Sequence, residues 1–357
     1  MSSDSEAPAD LPRIPVQRFH PDGGCSPSGW ILLQGASAVA GVVMGLLTGF
    51  ISQYFYLVVL FPCVIGFGIG WLGTTTITKG KIRSPWLALV AAMLGGLCAV
   101  WGMHYFSYMM FYKAQTANIS PEEFKEVQNV VRNYDQLRQN PPDDEDLQKF
   151  LEFLAANPKV LRALQVESFT DFVDLAAEEG VTINSSRGGN GKGMNLGYVG
   201  SYIYWIVELG IIAGLAVMMM RGAAAEPFCQ TCQEWKGWRM LGRVDLAAPA
   251  QVALETGNLN ELRALNPMPY VGDHNVSASV CPNCGIESPV EMKLDKRTLD
   301  QNNNATYSTL TTVTYPGYAM PLIDQLFAEG EIVDESENVA DAMQDGDEAN
   351  EGTKSSS

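Results

Sequence analysis

The strongest constraint in this chain is a set of four apolar runs, each long enough to cross a bilayer. The first, Trp30 to Ile51, contains no charged residue, and Ser52-Gln53 separates it from the second, Tyr54 to about Gly73. The third runs from Trp86 to Tyr112 and the fourth from Leu196 to Met220. At ~1.5 Å rise per helical residue, about 20 residues span ~30 Å, the hydrocarbon thickness of a membrane. Buried helices of a large soluble protein are the alternative. Four such runs in 357 residues argue against it. The first two runs read as a helical hairpin with a very tight turn at residues 52–53.

Residues 1–29 are long, Pro-rich and acidic where a signal peptide would have a short basic stretch, so they read as a disordered segment before a retained transmembrane helix. Positive charge sets the orientation. Lys79, Lys81 and Arg83 lie between runs two and three, Arg13 and Arg18 precede run one, and Arg221, Lys236, Arg239 and Arg243 follow run four. Only Lys113, Arg187 and Lys192 lie close to the membrane ends of residues 113–195. The positive-inside rule then places both termini in the cytoplasm and residues 113–195 outside the cytoplasmic membrane. Tyr54, Phe55 and Tyr56 fit an outer aromatic belt and Trp86 an inner one.

The membrane runs are rich in small residues. Gly41, Gly45 and Gly49 share one helix face, and Gly66, Gly68, Gly70, Gly73, Gly95 and Gly96 do similar work in runs two and three. Without side chains, backbones approach closely and gain dispersion contacts. The reading is tight packing within the chain, with a homo-oligomer through Gly41, Gly45 and Gly49 as the alternative. Two ionisable residues, His104 and Glu208, fall inside the apolar runs. Counted from the outer ends their depths differ by only ~6 Å, so a hydrogen bond or ion pair between them is geometrically open. Such a pair is either a packing contact that locks run four to the others or a proton- or ion-handling site.

The outer segment reads as a small all-α domain. Ser120-Pro121-Glu122-Glu123 is a capping box that starts a helix running to about Gln139, stopped by Asn140-Pro141-Pro142. Further helices are expected at Asp143 to Ala156, Lys159 to Leu164 and Ser168 to Glu179, the last closed by Gly180. Phe150, Leu151, Phe153, Leu154, Leu161, Leu164, Phe169, Phe172, Val173 and Leu175 are the candidates for one small core. Arg187 to Gly193 is glycine-rich but lacks the glycine spacing and the Ser/Thr of a phosphate loop, so it reads as a linker.

Two Cys-x-x-Cys pairs follow run four: Cys229-Gln230-Thr231-Cys232 and Cys281-Pro282-Asn283-Cys284-Gly285. Each places two thiolates on one metal, and four thiolates make a closed tetrahedral Zn²⁺ site whose role is structural. The 48 intervening residues exceed the usual ~15–20, which suggests an inserted helix at about Ala247 to Leu265. A redox dithiol pair or two unrelated knuckles are the alternatives, and His274 is a candidate substitute ligand or a surface residue. Cys25, Cys63 and Cys98 are isolated. Pro289 to Leu294 and Thr306 to Tyr315 alternate with period two around Asn302-Asn303-Asn304, a β-hairpin extending the zinc module. Trp235 and Trp238 are candidates to rest on the lipid headgroups. Asp324 to Glu351 carries 11 acidic residues and no basic one, the composition of a disordered tail.

Two stretches resemble an uncharacterised group of bacterial multipass membrane proteins. One is Gly66-Phe67-Gly68-Ile69-Gly70 through Gly80-Lys81-Ile82-Arg83-Ser84-Pro85. The other is Phe169-Thr170-Asp171-Phe172-Val173-Asp174-Leu175-Ala176 with Gly180-Val181-Thr182-Ile183 and Tyr204-Trp205-Ile206-Val207-Glu208. The resemblance covers about half the chain and implies no assigned activity. The C-terminal half resembles zinc ribbons in its knuckles alone.

The expected protein is therefore an α-helical integral membrane protein with four transmembrane helices. Its segments are a disordered N-terminus (1–29), three helices (30–112), an outer helical domain (113–195), a fourth helix (196–220), a cytoplasmic β-rich zinc-ribbon-like module (221–323) and an acidic tail (324–357). Scaffold, assembly factor or sensor is the expected role, with a protein partner on the module and the lipid bilayer as surroundings. A small ion- or proton-coupled transporter using Glu208 and His104 is the alternative. An enzyme is not expected, because no nucleophile–base constellation is visible. The net charge of −17 argues against nucleic acid.

Overall fold

The computed structural model describes residues 11–54, 59–117, 119–183, 194–265, 272–301 and 304–327. They fall into two compact units, one from Asp22–Ala225 and one from Glu226–Ser357 together with Met1–Pro21. The described chain enters through a short strand, β1 (Gln17–Arg18), which belongs to the second unit.

The first unit is built on four long apolar helices. α1 (Pro27–Ile51) starts at Ser26, whose hydroxyl accepts from the Gly29 N–H at 3.0 Å. It ends where Ser52 turns back to the Gly49 carbonyl at 2.9 Å. α2 (Leu60–Gly80) starts six residues later than the second apolar run and ends seven later. The very tight turn at 52–53 is thus replaced by a longer connection, of which residues 55–58, with Phe55 and Tyr56, lie outside the described residues. Pro62, which has no N–H to donate, is accommodated in the first turn of α2. At the other end, Thr75, Thr76 and Thr78 bond the carbonyls four residues back and keep the threonine run helical to Gly80. α3 (Pro85–Thr116) is capped by Ser84.

These helices are inside-out by the standard of a protein in water. The buried residues of α1 are Gly29, Leu33, Ser37, Gly41, Gly45, Thr48 and Gly49. Trp30, Ile31, Leu32, Val39, Val43, Leu47 and Phe50 are exposed. Small residues line the contacts because the helices nearly touch. A Cβ at Gly41 would lie 2.1 Å from the Gly95 carbonyl oxygen, and one at Gly45 2.1 Å from that of Ala99, both on α3. The Gly41–Gly45–Gly49 face is therefore covered by α3 of the same chain.

The segment after α3 folds as α4 (Pro121–Arg132), α5 (Tyr134–Gln139), α6 (Glu145–Ala156), α7 (Pro158–Leu164) and α8 (Phe169–Glu179). The Ser120–Glu123 capping box forms, and a second box joins Ser168 to Asp171. The helix expected to reach Gln139 is broken at Asn133, whose side chain bonds the Asn129 carbonyl at 2.9 Å. The single core expected here divides in two. Val131, Tyr134, Leu151 and Leu154 form one cluster with Phe150, Leu161 and Leu164 packed on it, while Phe153 is half exposed. Phe169 and Phe172 instead pack on the aromatic end of α3, at 6.0 Å from Tyr105 and 5.3 Å from Phe111 respectively. After Gly180 a small hairpin, β2 (Thr182–Ile183) with β3 (Met194–Asn195), leads into the fourth long helix, α9 (Gly197–Ala224). It makes this region not wholly helical. The Arg187–Gly193 linker lies outside the described residues. α9 closes on α2 by the same device, a Cβ at Gly66 falling 2.7 Å from the Ile212 carbonyl oxygen.

The second unit opens with a small hairpin, β4 (Phe228–Cys229) with β5 (Glu234–Trp235). Then come β6 (Gly237–Val244), α10 (Ala247–Thr256), α11 (Leu259–Ala264), β7 (His274–Val280), β8 (Val290–Leu299), β9 (Ala305–Tyr315) and α12 (Met320–Phe327). The antiparallel sheet has the order β1-β9-β8-β7-β6. Alternation in β8 sends Val290, Met292 and Leu294 into a core with Val276, Val313, Tyr315, Leu254, Leu259 and Ile323. The single helix expected at 247–265 is two, separated by Gly257 in the left-handed region at φ 67°. The expected hairpin exists as β8 and β9 within a larger sheet, its Asn302-Asn303 turn lying outside the described residues.

Two terminal assignments are corrected. Residues 11–19 are not disordered: Ile14 is buried in the module core, its N–H bonds the Gly257 carbonyl at 3.1 Å, and β1 pairs with β9. Residues 324–327 belong to α12, where Asp324 pairs with Arg239. The tail beyond Phe327 lies outside the described residues.

The glycine contacts yield a paired test. Gly45→Ala should lower the melting temperature of the purified protein by several degrees, because overpacking costs about 1–3 kcal/mol. Gly35→Ala, with nothing within 4 Å of the added carbon, should leave it unchanged or raise it slightly.

Candidate metal centre

The first knuckle sits in the β4–β5 hairpin, where Phe228 pairs with Trp235 and Cys229 with Glu234. Its turn closes on Gln233, in the left-handed region at φ 59°. The second knuckle leaves β7 directly, and Gly285 holds φ 52° at the equivalent position. The Gly285 N–H bonds the Cys281 carbonyl at 3.3 Å. Both Cys-x-x-Cys turns thus carry a left-handed residue immediately after the second cysteine. Glycine adopts that conformation freely, whereas a side chain costs roughly 1–2 kcal/mol. Gln233 meets that cost with a 2.6 Å bond from its side-chain amide to the Gln230 carbonyl. Sequence reading identified Gly285 and missed Gln233, although the matching position after the second cysteine was the available signal.

The four sulfurs of Cys229, Cys232, Cys281 and Cys284 all lie within 4.8 Å of one another. Cys229 Sγ is 3.7 Å from those of both Cys232 and Cys284. A tetrahedron with ~2.3 Å metal–sulfur bonds has edges of ~3.8 Å. Cys232 lies closer to its neighbours, 3.3 Å from Cys281 and 2.6 Å from Cys284. All four are free thiols, Cys229 and Cys281 buried and the other two half-buried. Burial raises the Cys229 thiol. The Cys232 N–H, the Ser288 hydroxyl, the Cys281 thiol and the Thr231 N–H outweigh it and hold the group down to about 6. Cys232 is pushed well up by the Cys284 and Cys281 sulfurs crowded against it. One thiolate is easily accommodated and a second is opposed, and a divalent cation among the sulfurs is what removes that opposition. The four residues can hold one metal ion, and four protein ligands leave no open coordination position.

His274 is not part of the cluster. It lies at the opposite end of β7 from Cys281, ~23 Å of extended chain away, and is buried rather than on the surface. Trp235 packs edge-on against Phe228 at 5.1 Å. Trp238 bonds Glu226 at 2.7 Å and lies under the Lys293 ammonium. Both are thus engaged within the module. Cys25, Cys63 and Cys98 belong to the helical unit.

Within the helical unit, Glu208 is only 2% exposed. His104 packs its ring edge-on against Trp205 of α9, with centroids 4.6 Å apart, and its Nε2 has no hydrogen-bond partner among the described residues. A Cβ at Gly96 would meet Leu209 and Ala213. These contacts set an antiparallel register that puts Glu208 level with about Val100, one turn along α3 from His104. His104 and Glu208 thus lie on two helices, α3 and α9, that pack against each other.

No family model, no curated protein and no solved structure matches the chain. The resemblance to a group of bacterial multipass proteins rests on the quoted motifs alone.

The knuckle backbone predicts an asymmetric response. Gly285→Val places a β-branched residue in the left-handed region, at roughly 1–2 kcal/mol, and should speed metal loss to a chelator about tenfold. Gln233→Gly relieves a similar strain and removes one hydrogen bond, so metal loss should stay within about twofold of the parent.

Proposed function

We propose that this chain is a four-span protein of the cytoplasmic membrane that presents a structural zinc module to the cytoplasm. It acts as a scaffold, assembly factor or sensor and not as an enzyme. The observation that carries the reading is the set of four cysteine sulfurs within 4.8 Å, on two matching turns, in a chain with four helices long and apolar enough to span a bilayer. The inside-out distribution on α1 supports lipid as the solvent of the helices, since large apolar side chains face outward and small residues face the contacts. Lys79, Lys81 and Arg83 support an inner α2–α3 connection, which puts the module in the reducing compartment where thiolates stay available. A closed four-sulfur set favours a structural metal that supplies folding free energy over a catalytic one that binds substrate. A protein partner would then be engaged through the module.

One observation favours the transport reading: a carboxylate, Glu208, buried among apolar helices. Glu208→Gln separates the two. Loss of a proton- or ion-dependent flux in proteoliposomes favours transport, and unchanged behaviour favours the scaffold.

The metal reading has its own test. The detergent-purified protein should contain a single zinc ion per chain, and Cys281→Ser should lose it. A strong chelator should remove the β-sheet signal in circular dichroism while the helical signal remains. A folded sheet without zinc would defeat this reading.

A further inference from the structure

Two chain segments 48 residues apart must bring their sulfurs to one point, and something other than the ligands must set their spacing. The sulfurs alone do not fix it: those of Cys232 and Cys284 lie 2.6 Å apart and those of Cys229 and Cys284 3.7 Å, with all four inside 4.8 Å. The β6–β7 ladder joins the segments at Gly237 and Val280, and beside it lies an ion pair that is almost fully enclosed. The Lys236 and Glu291 side chains are 2% and 7% exposed. Lys236 follows the first knuckle, and its backbone N–H bonds the Pro227 carbonyl at 3.0 Å, closing the hairpin that carries Cys229 and Cys232. Its ammonium crosses to the strand that leaves the second knuckle. There it donates to the Pro289 carbonyl at 2.6 Å and to both Glu291 oxygens at 2.9 Å. The same stretch supplies Ser288, which is buried and donates its hydroxyl to the Pro289 carbonyl at 3.4 Å. On the exposed side, Asn283 bonds Glu234 at 2.9 Å and braces the two turns a second time.

Burying two charges is costly, and apolar replacements of similar volume are often at least as stable. Stability alone therefore gives little reason for this pair. Its three donor contacts give a geometric one: the rigid strand ends on either side of the cluster are fixed at one separation. We propose that Lys236, held by Glu291, is the positioning residue of the metal centre. It sets the distance between the two knuckles so that four sulfurs reach one ion, without touching that ion itself. This rests on the metal reading above.

The test uses the full-length protein in detergent, loaded with zinc for release to a chromogenic chelator and with Co²⁺ for spectroscopy. Lys236→Met should release zinc at least tenfold faster and should shift or weaken the visible d–d bands of the Co²⁺ form. Arg239→Met, which breaks the Arg239–Asp324 pair of the same module away from the knuckles, should change neither. A folded Lys236→Met protein with parental release and spectrum overturns the proposal, and so does equally fast release from Arg239→Met. If Lys236→Met does not fold, Lys236→Met/Glu291→Met removes both charges. It should fold and still release zinc fast, because Pro289 has lost its donor, and parental retention in it overturns the proposal. A parental protein without zinc defeats both readings. A zinc-bearing parent with unaffected variants defeats this one alone.

Discussion

Close approach of helix backbones is the interaction on which the helical unit depends. The outward faces of its long helices carry large apolar side chains such as Ile31, Val39 and Leu47, so apolar burial alone does not single out one arrangement of them. What remains is dispersion between surfaces that fit, and the fit is made by removing side chains at the crossings. Gly41 and Gly45 let α1 reach the carbonyls of Gly95 and Ala99, and Gly66 lets α2 reach that of Ile212. The result is two parallel pairs, α1 with α3 and α2 with α9, joined through α2 on α1 and α9 on α3. Because those contacts are backbone to side-chain-free backbone, the bundle has little tolerance for an added methyl group at them. Ser37, Thr48 and Glu208 are among the polar groups on its inside.

Above that packed region the longer helices run on. At ~1.5 Å per residue α3 is ~48 Å and α9 ~42 Å, more than a bilayer core requires. Along the second half of α3, Trp101, Tyr105, Tyr108 and Phe111 meet Phe169 and Phe172 of α8. On α9, Tyr198 bonds Asp174 at 2.7 Å. The segment between α3 and α9 is thus fastened to the long helices by its last helix, α8, while α4 to α7 keep a core of their own.

Local chemistry was legible in the sequence, and pairing between distant segments was not. Ser120, Glu123, Ser168 and Gly180 act within four residues, and their roles could be read directly. The apolar runs marked the long helices, but the limits of α2 depended on Pro62 and on threonines that bond backward, neither of which hydropathy registers. Phe153 and Phe172 have the same composition signal, yet one is half exposed and the other lies on α3, a distinction made by a helix 60 residues earlier in the chain. In the module, β8 showed its alternation because Val290, Met292 and Leu294 contrast with Glu291, Lys293 and Asp295. β7 alternates Val276 and Ala278 with Ser277 and Ser279, a contrast too small to stand out. The metal ligands were legible because Cys-x-x-Cys is a local spacing, whereas Lys236 and Glu291 carry no motif.

The long interval between the knuckles follows from the same distinction. Extending a loop from ~17 to 48 residues adds only about 0.9 kcal/mol of closure entropy, because the cost grows with the logarithm of length. That is a small term against what the interval contains. Leu241, Val244, Leu254, Leu259, Leu262 and Val276 all lie between Cys232 and Cys281 and form much of the module core. The interval is therefore the body of the domain, with β6 and β7 leading from one knuckle and back to the other. The N-terminal arm completes that body from the far end of the sequence. Leu11 exchanges two 2.9 Å bonds with Asn260, and Ile14 passes so close to Gly257 that a Cβ there would lie 1.9 Å from the Ile14 carbonyl oxygen. Gly257 both breaks the interval into two helices and admits the arm, so one residue without a side chain accounts for two departures from the expected organisation. One edge of the module's sheet is thus made by β1, which precedes the helical unit in the sequence, and the rest of the sheet by strands that follow it.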